Sequence, residues 1–251
     1  MKLNRYQAFG VHLLGSLVVA LLTSALVFLV WYSWPLPIAT GVTEIFVLLL
    51  SVDVVIGPCL TLAVFNLEKK ELKRDLAIVL LLQIGALFYG LHTVFIARPV
   101  YLVFNTDRFD LVYANDLSGE KLSKVSDPEF QSIPLFGTKV IAARNPEDVR
   151  ARNEILFSAV QGGDDLPQMP QYYVAYSDEK NQVLRRMKTL DEIKSFNRDG
   201  GGSVDALNRK YASIKAGVGF LPLRGKVEDL AVIVRRDSAE VLEVVNLRPW
   251  N

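Results

Sequence analysis

An acidic residue in an apolar run is the first feature of this sequence that could do chemistry. Asp53 lies in the stretch LLLSVDVVIGPCLTL, residues 48–62, and Gly57-Pro58 follow it closely. A carboxylate is costly where water is scarce, so an acid in such a run is a functional candidate by default. Pro58 removes a backbone donor and is expected to bend the chain, which would open a cleft beside Asp53.

Three roles for Asp53 fit the sequence. It could be a buried, hydrogen-bonded carboxyl that locks neighbouring helices, a docking point for the transmembrane helix of a partner, or part of an ion path. A rise of ~1.5 Å per helical residue, counted from the ends of the apolar runs, predicts Thr23, Ser24 and Tyr89 at the depth of Asp53. Their hydroxyls are the expected partners. Gln83 can hydrogen-bond to another helix of this chain or to the helix of a partner.

A second candidate pair joins Glu44 and Arg98. The same depth count places Glu44 level with Ala97, the residue before Arg98. The sequence therefore predicts an ion pair at the outer membrane interface. The simpler alternative is that Glu44 only reaches the headgroup region and contacts water.

The elements that must position these residues are three long apolar runs. They span residues 11–34, 38–65 and 76–97 of a 251-residue chain that is 51% hydrophobic and has a formal charge of +1. Each exceeds the roughly 20 residues that cross a ~30 Å hydrocarbon core as a helix. The first run is too long for a cleaved signal peptide and ends in aromatic residues instead of a small-residue cleavage site. We expect a membrane domain of three transmembrane helices in residues 1–97.

The basic residues predict the topology. Lys2 and Arg5 precede the first run, and the segment NLEKKELKRD, residues 66–75, holds four more basic residues, whereas Pro35–Pro37 holds none. Basic segments favour the cytoplasm. The amino terminus is therefore expected inside the cell and residues 98–251 outside it, in the periplasm of a bacterium that has one.

The composition of the outer segment argues against several functions. Residues 98–251 contain 22 basic and 22 acidic residues, so no net positive field favours nucleic acid. The segment has no histidine or cysteine, the residues that supply most zinc ligands and nucleophiles. Its acidic pairs, Asp164-Asp165 and Asp178-Glu179, lie in stretches typical of solvated turns. We expect no enzyme activity, no metal and no cofactor.

Residues 98–251 show the patterns of an α+β domain. Alternating apolar residues flank a turn at 105–108, and a second alternating pair covers 229–236 and 240–247. Between them, helix signals start near Asn145 and end at Gly162-Gly163, a capping box pairs Thr189 with Glu192, and a helix is expected over 204–214. RDGGGS, residues 198–203, is typical of a flexible turn. The terminal strands could share one sheet.

Residues 52–117 resemble the TfpX/TfpZ type IV pilin accessory proteins of Gram-negative bacteria. The resemblance is carried by these residues and motifs: Asp53-Val54-Val55, Gly57-Pro58, Asp75-Leu76, Gln83, Ala97-Arg98-Pro99-Val100-Tyr101, Asp107-Arg108-Phe109 and the closing NLRPW. It is weak over residues 120–225. No catalytic motif comes with it.

The resemblance implies a multi-pass inner-membrane protein that acts with its cognate type IV major pilin. Such a protein promotes surface piliation as a pilin-specific chaperone or assembly modulator. The alternative is a membrane-anchored extracytoplasmic sensor or ligand-binding protein without catalytic activity. A sensor would need a second chain, because the cytoplasmic segments are too short to form an output domain.

Overall fold

The computed structural model describes residues 4–197 and 201–250, without the side chains of 201–203. The chain forms two compact units. The helical unit contains the residues up to Trp31 together with Gly41–Ala97. The sheet domain contains Tyr32–Thr40 together with the residues from Arg98 onward.

Three long apolar helices make up the helical unit. The helices of the first 97 residues are α1 (Arg5–Ala25), α2 (Leu36–Thr40), α3 (Val42–Ser51), α4 (Gly57–Val64) and α5 (Leu72–Ile96). A π-helical turn at Leu26–Trp31 continues α1, and another at Val52–Ile56 joins α3 to α4. The three resulting spans, Arg5–Trp31, Val42–Val64 and Leu72–Ile96, are long and apolar enough to cross a membrane.

The spans start at other residues than the apolar runs suggested, because capping and backbone geometry set the ends. Asn4 caps α1 by accepting from the Gln7 N–H at 2.8 Å, which moves the start to Arg5 instead of residue 11. Gly41, at a φ of +70°, interrupts the chain before α3, so the second span starts at Val42. The third starts at Leu72, one turn into the polar linker.

The sheet domain is a seven-stranded mixed sheet. Its strands are β1 (Pro99–Asn105), β2 (Arg108–Tyr113), β3 (Lys139–Ala143), β4 (Tyr173–Val174), β5 (Val218–Arg224), β6 (Leu230–Arg235) and β7 (Val241–Val245). The spatial order is β4-β3-β1-β2-β5-β6-β7. The β1–β3 and β2–β5 pairs are parallel and the others antiparallel. Both predicted hairpins are confirmed, and one sheet contains them.

Helices cover the sheet on both faces. They are α6 (Gly119–Leu122), α7 (Val149–Val160), α8 (Lys180–Arg186), α9 (Leu190–Phe196) and α10 (Gly201–Lys210). Alternate residues of β1 enter different cores: Phe104 packs in one together with Val183 of α8, and Val103 in another with Ile155 of α7. The sheet is therefore buried on both sides, as expected for a three-layer domain.

Tyr32–Thr40, between the first two spans, is built into the sheet domain. Leu36 and Ala39 of α2 belong to the apolar core that includes β2, β5 and β6. The Ala39 carbonyl accepts hydrogen bonds from the backbone N–H groups of Lys226 and Val227 at 2.9 and 3.0 Å. What the sequence presents as a short linker is thus part of the core of the second unit.

The internal elements of the sheet domain were predicted unevenly. Asp148 caps α7 and the Thr189–Glu192 capping box starts α9, both as expected. The strands β3, β4 and β5 were not predicted. The helix expected over 204–214 is α10, Gly201–Lys210, so it begins and ends earlier than expected and includes residues 201–203 of the predicted flexible turn. Residues 198–200 of the predicted flexible turn lie outside the described residues.

The contact between Gly225 and α2 makes the first prediction. A Cβ at position 225 would lie 2.1 Å from the Glu228 carbonyl oxygen and 2.9 Å from the Ala39 Cβ and carbonyl oxygen. Because backbone atoms block it, Gly225→Ala is expected to lower the free energy of unfolding of the sheet domain by about 1–3 kcal/mol. Thermal unfolding of the full chain in detergent measures this. Gly119→Ala is the control, since nothing lies within 4 Å of its Cβ position; equal stability of the two variants would contradict the packing.

Candidate functional site

Asp53 lies in the π-helical turn Val52–Ile56. The N–H of Gly57 donates to the carbonyl of Val52, five residues back, in place of the usual partner four residues back. Pro58 has no N–H, so the next backbone bond of the helix is missing as well. The bend expected at Gly57-Pro58 stays a prediction. What the structure has directly before these residues is a widened turn that contains the acid, and such turns are frequent at functional sites.

The Asp53 side chain is buried and has no hydrogen-bond partner among the described residues. It is 6% exposed, and neither carboxylate oxygen is bonded. The Gln83 amide lies beside the Asp53 carboxylate, and its Nε2 donates to the backbone carbonyl of Asp53 at 3.2 Å. The hydroxyls of Thr23 and Ser24 donate to backbone carbonyls of their own helix. The expectation that these hydroxyls satisfy Asp53 is wrong.

The actual helix ends explain this error. Asp53 lies eleven residues from the end of α4 at Val64. Eleven residues into α5 from Leu72 is Gln83, and eleven residues into α1 from Arg5 is Ser16. Counting from the true ends of the helices, instead of from the edges of the apolar runs, therefore brings Gln83 and Ser16 level with Asp53.

A groove of about 280 Å³ lies beside Asp53 in the helical unit. It is lined on α1 by His12, Gly15, Ser16 and Val19, on α5 by Leu80, Gln83, Ile84 and Leu87, and by Asp53 between them. Both sets follow the spacing i, i+3, i+4, i+7, so each is a single face of its helix. The groove therefore has two parallel helical walls and one acid.

Close contacts hold the walls of this groove in place. A Cβ on Gly57 would overlap the Gln83 side chain, and one on Gly90 would overlap Leu49. On the other wall, His12 Nδ1 lies 2.5 Å from Thr61 Oγ1. Glycine thus lets α5 approach the second span closely, and the His12–Thr61 pair joins the second span to α1.

The remaining predicted site residues lie elsewhere. Tyr89 is 76% exposed and does not line the groove. Glu44 is exposed in the first turn of α3. Arg98 is buried in the sheet domain, where its guanidinium donates to the Pro134 carbonyl at 2.9 Å and burial lowers its pKa. The Glu44–Arg98 pair stays a prediction.

Sequence reasoning missed His12 and Ser16. Their spacing of four residues puts two polar side chains on one face of an otherwise apolar helix, and this was the available signal. Among the described residues, no group of three or more His, Cys, Asp or Glu side chains is placed to hold a metal ion. What the groove offers is an acceptor carboxylate and neighbouring polar groups within apolar walls.

Comparison with known proteins identifies the relatives of this chain. A sequence model of the fimbrial assembly protein FimB family matches residues 2–41. The chain is 36% identical over 218 residues to a fimbrial assembly protein, serogroup I, of Dichelobacter nodosus, covering 85% of this chain and 84% of the relative. The serogroup E1 protein of the same organism is 35% identical over 191 residues, which is 75% of this chain and 73% of that relative.

A third relative matches a shorter part. The D. nodosus fimbrial assembly protein of serogroups C1 and C2 is 36% identical over 115 residues, which is 45% of this chain and 88% of the relative. No solved structure matches the chain. The family resemblance seen in residues 52–117 is confirmed by relatives that align along most of both sequences, and this chain belongs to the family of fimbrial assembly proteins.

Proposed function

We propose that this protein is a membrane-embedded, non-catalytic accessory factor of type IV pilus assembly. It binds its cognate major pilin as a specific chaperone or assembly modulator and promotes surface piliation. Family membership supports the role in fimbrial assembly, and the three apolar spans support a place in the inner membrane. The observation that carries the mechanism is the groove whose buried acid has no hydrogen-bond partner among the residues that the structure describes.

The shape of the groove fits one more helix. Helical walls with the i, i+3, i+4, i+7 spacing offer the ridges between which a further helix packs. Gly15 and Ser16 are small, which lets a helix backbone come close. A pilin before assembly has one long apolar transmembrane helix, so it is the occupant that this geometry favours.

The chemistry of Asp53 selects for a helix that carries a hydrogen-bond donor. A buried polar group without a partner costs about 1–3 kcal/mol, and a charged group costs more. A donor on the pilin helix, near its amino terminus, would remove that cost when it binds. A purely apolar helix would leave it in place, so the acid provides discrimination as well as affinity.

The proposed topology follows from the basic residues and the sheet domain. Lys2, Arg5 and the basic segment at 66–75 favour the cytoplasm. Tyr32–Thr40 shares a unit with the residues after Ala97, so both belong on one side of the membrane. The sheet domain then lies in the periplasm, where it would contact the pilin head.

The first test of the groove is crosslinking. A photoreactive residue at Ser16 or Ile84 is expected to form an adduct with the pilin, because both positions line the groove. Leu14 and Leu82 are the matched controls: each is exposed and lies about half a helical turn away from its wall. Mass spectrometry of membranes identifies the adduct. Equal adducts at all four positions would mean that the pilin has no preference for the groove.

The second test removes the charge of Asp53. Asp53→Asn is expected to reduce the pilin that co-purifies with the protein by about tenfold or more, because a hydrogen bond to a charged group contributes about 1.5–3 kcal/mol. Surface piliation should fall while the amount of this protein in the membrane stays normal. Glu44→Gln, a carboxylate of the same span outside the groove, is the control. Loss of the protein itself would favour the structural lock, and a changed ion flux would favour transport.

The third test concerns topology. Alkaline phosphatase, which is active only outside the cytoplasm, is expected to be active when fused after Trp250 and inactive when inserted after Lys69. A fluorescent protein that folds only in the cytoplasm should give the opposite pattern. An active phosphatase at Lys69 would overturn the proposed orientation.

A further inference from the structure

A second concave site lies in the sheet domain, and its lining is basic. The hollow has a volume of about 290 Å³ and is lined by Arg108, Arg185, Arg186, Lys188, Asp107, Pro222 and Trp250. Four cations thus face one small volume, in a domain whose basic and acidic residues are equal in number.

Separate elements bring these cations together. Arg108 is the first residue of β2, and Arg185 and Arg186 lie in the last turn of α8. Lys188 exchanges two backbone hydrogen bonds with Phe220 of β5, at 2.9 and 3.0 Å. Because strands and a backbone bridge fix these positions, the convergence is a property of the fold.

The charges of this hollow are poorly neutralised. Some basic side chains elsewhere in the domain have acidic partners, as in Lys121–Asp164 and Lys210–Glu243. Others, such as Lys139 and Lys215, are exposed at the surface with no ion pair in the part of the chain that the structure describes. In the hollow, Arg108 pairs with Asp107 and Asp110. Among the described residues, no carboxylate forms an ion pair with the three other cations, Arg185, Arg186 and Lys188.

A purely structural role would explain the presence of only some of these cations. Arg185 and Arg186 lie where the dipole of α8 favours positive charge. That effect does not account for Lys188, which follows the helix, or for Arg108, which comes from another strand. Like charges gathered in one concavity repel each other, and a bound anion relieves the repulsion.

The chemistry points to a phosphoryl group. Guanidinium groups bind phosphate oxygens through paired N–H donors, and several cations suit an anion with more than one negative charge. Pro222 and Trp250 form an apolar wall of the hollow. The indole of Trp250 is held in place because its Nε1–H donates to Asp229 at 2.8 Å. We propose that this hollow binds an organic phosphate, with the phosphoryl group among the cations and its ester substituent against Trp250.

Binding of glycerol 3-phosphate to the full chain in detergent, followed by isothermal titration calorimetry, tests the site. Arg186→Gln combined with Lys188→Gln is expected to weaken binding at least tenfold and to leave thermal stability unchanged. Lys139→Gln combined with Lys215→Gln removes the same charge at exposed positions outside the hollow and should bind as the unaltered protein does.

The phosphoryl group could belong to a soluble ester or to a phospholipid. Native mass spectrometry from micelles with added phosphatidylglycerol separates the two sources: retention that the Arg186/Lys188 variant loses, without binding of glycerol 3-phosphate, assigns the site to a lipid headgroup. The proposal is overturned if neither source distinguishes this variant from the control. It is also overturned if the variant loses only a protein partner, since the hollow would then recognise an acidic segment. The pilin groove is unaffected by either result.

Discussion

Two backbone hydrogen bonds to the Ala39 carbonyl determine how the chain is organised. They join the segment between the first and second spans to the loop that connects β5 to β6, almost two hundred residues later. Leu36 and Ala39 also fill part of the core between these strands. The sheet domain is therefore completed by residues that lie between two apolar helices. The chain passes between its two units three times, after Trp31, Thr40 and Ala97.

This arrangement constrains topology in a way that charge alone does not. The distribution of basic residues is a statistical preference. A peptide segment that belongs to the core of a folded domain must be on the same side of the membrane as that domain. The two arguments are independent, and both place Tyr32–Thr40 together with the sheet domain. If the apolar spans cross a membrane, the first two form a hairpin whose connection belongs to the sheet domain.

Local patterns predicted a large part of the fold. An apolar run longer than a bilayer is thick, or a capping residue such as Asp148, is visible within a few residues of sequence. The hairpin around Asn105–Arg108 is local in the same sense. β3 was missed because it pairs in parallel with β1, a strand distant in sequence, and no turn marks the pairing. β5 also pairs in parallel with the distant β2, although it forms a hairpin with β6 through residues 225–229.

The candidate site was predicted in the same uneven way. Asp53 was identified from its type alone, because a carboxylate in an apolar run is a signal carried by one residue. Its neighbours depended on where the helices end and which faces meet. Because Asn4 caps α1, the helix starts at Arg5 and not near residue 11. A count from this start puts Ser16, and not Thr23, at the level of Asp53. Tyr89 was placed by depth without regard to helix face.

The composition of the groove bears on the three roles considered for Asp53. A lock would need a hydrogen bond to the carboxylate, and the described residues supply none. An ion path would need polar groups along its whole length, whereas five of the nine lining residues have no polar side chain: Gly15, Val19, Leu80, Ile84 and Leu87. Largely apolar walls with acceptors at Asp53 and Gln83 suit an apolar helix that carries a hydrogen-bond donor. These features support the docking role proposed above, because docking would use both the walls of the groove and its acid.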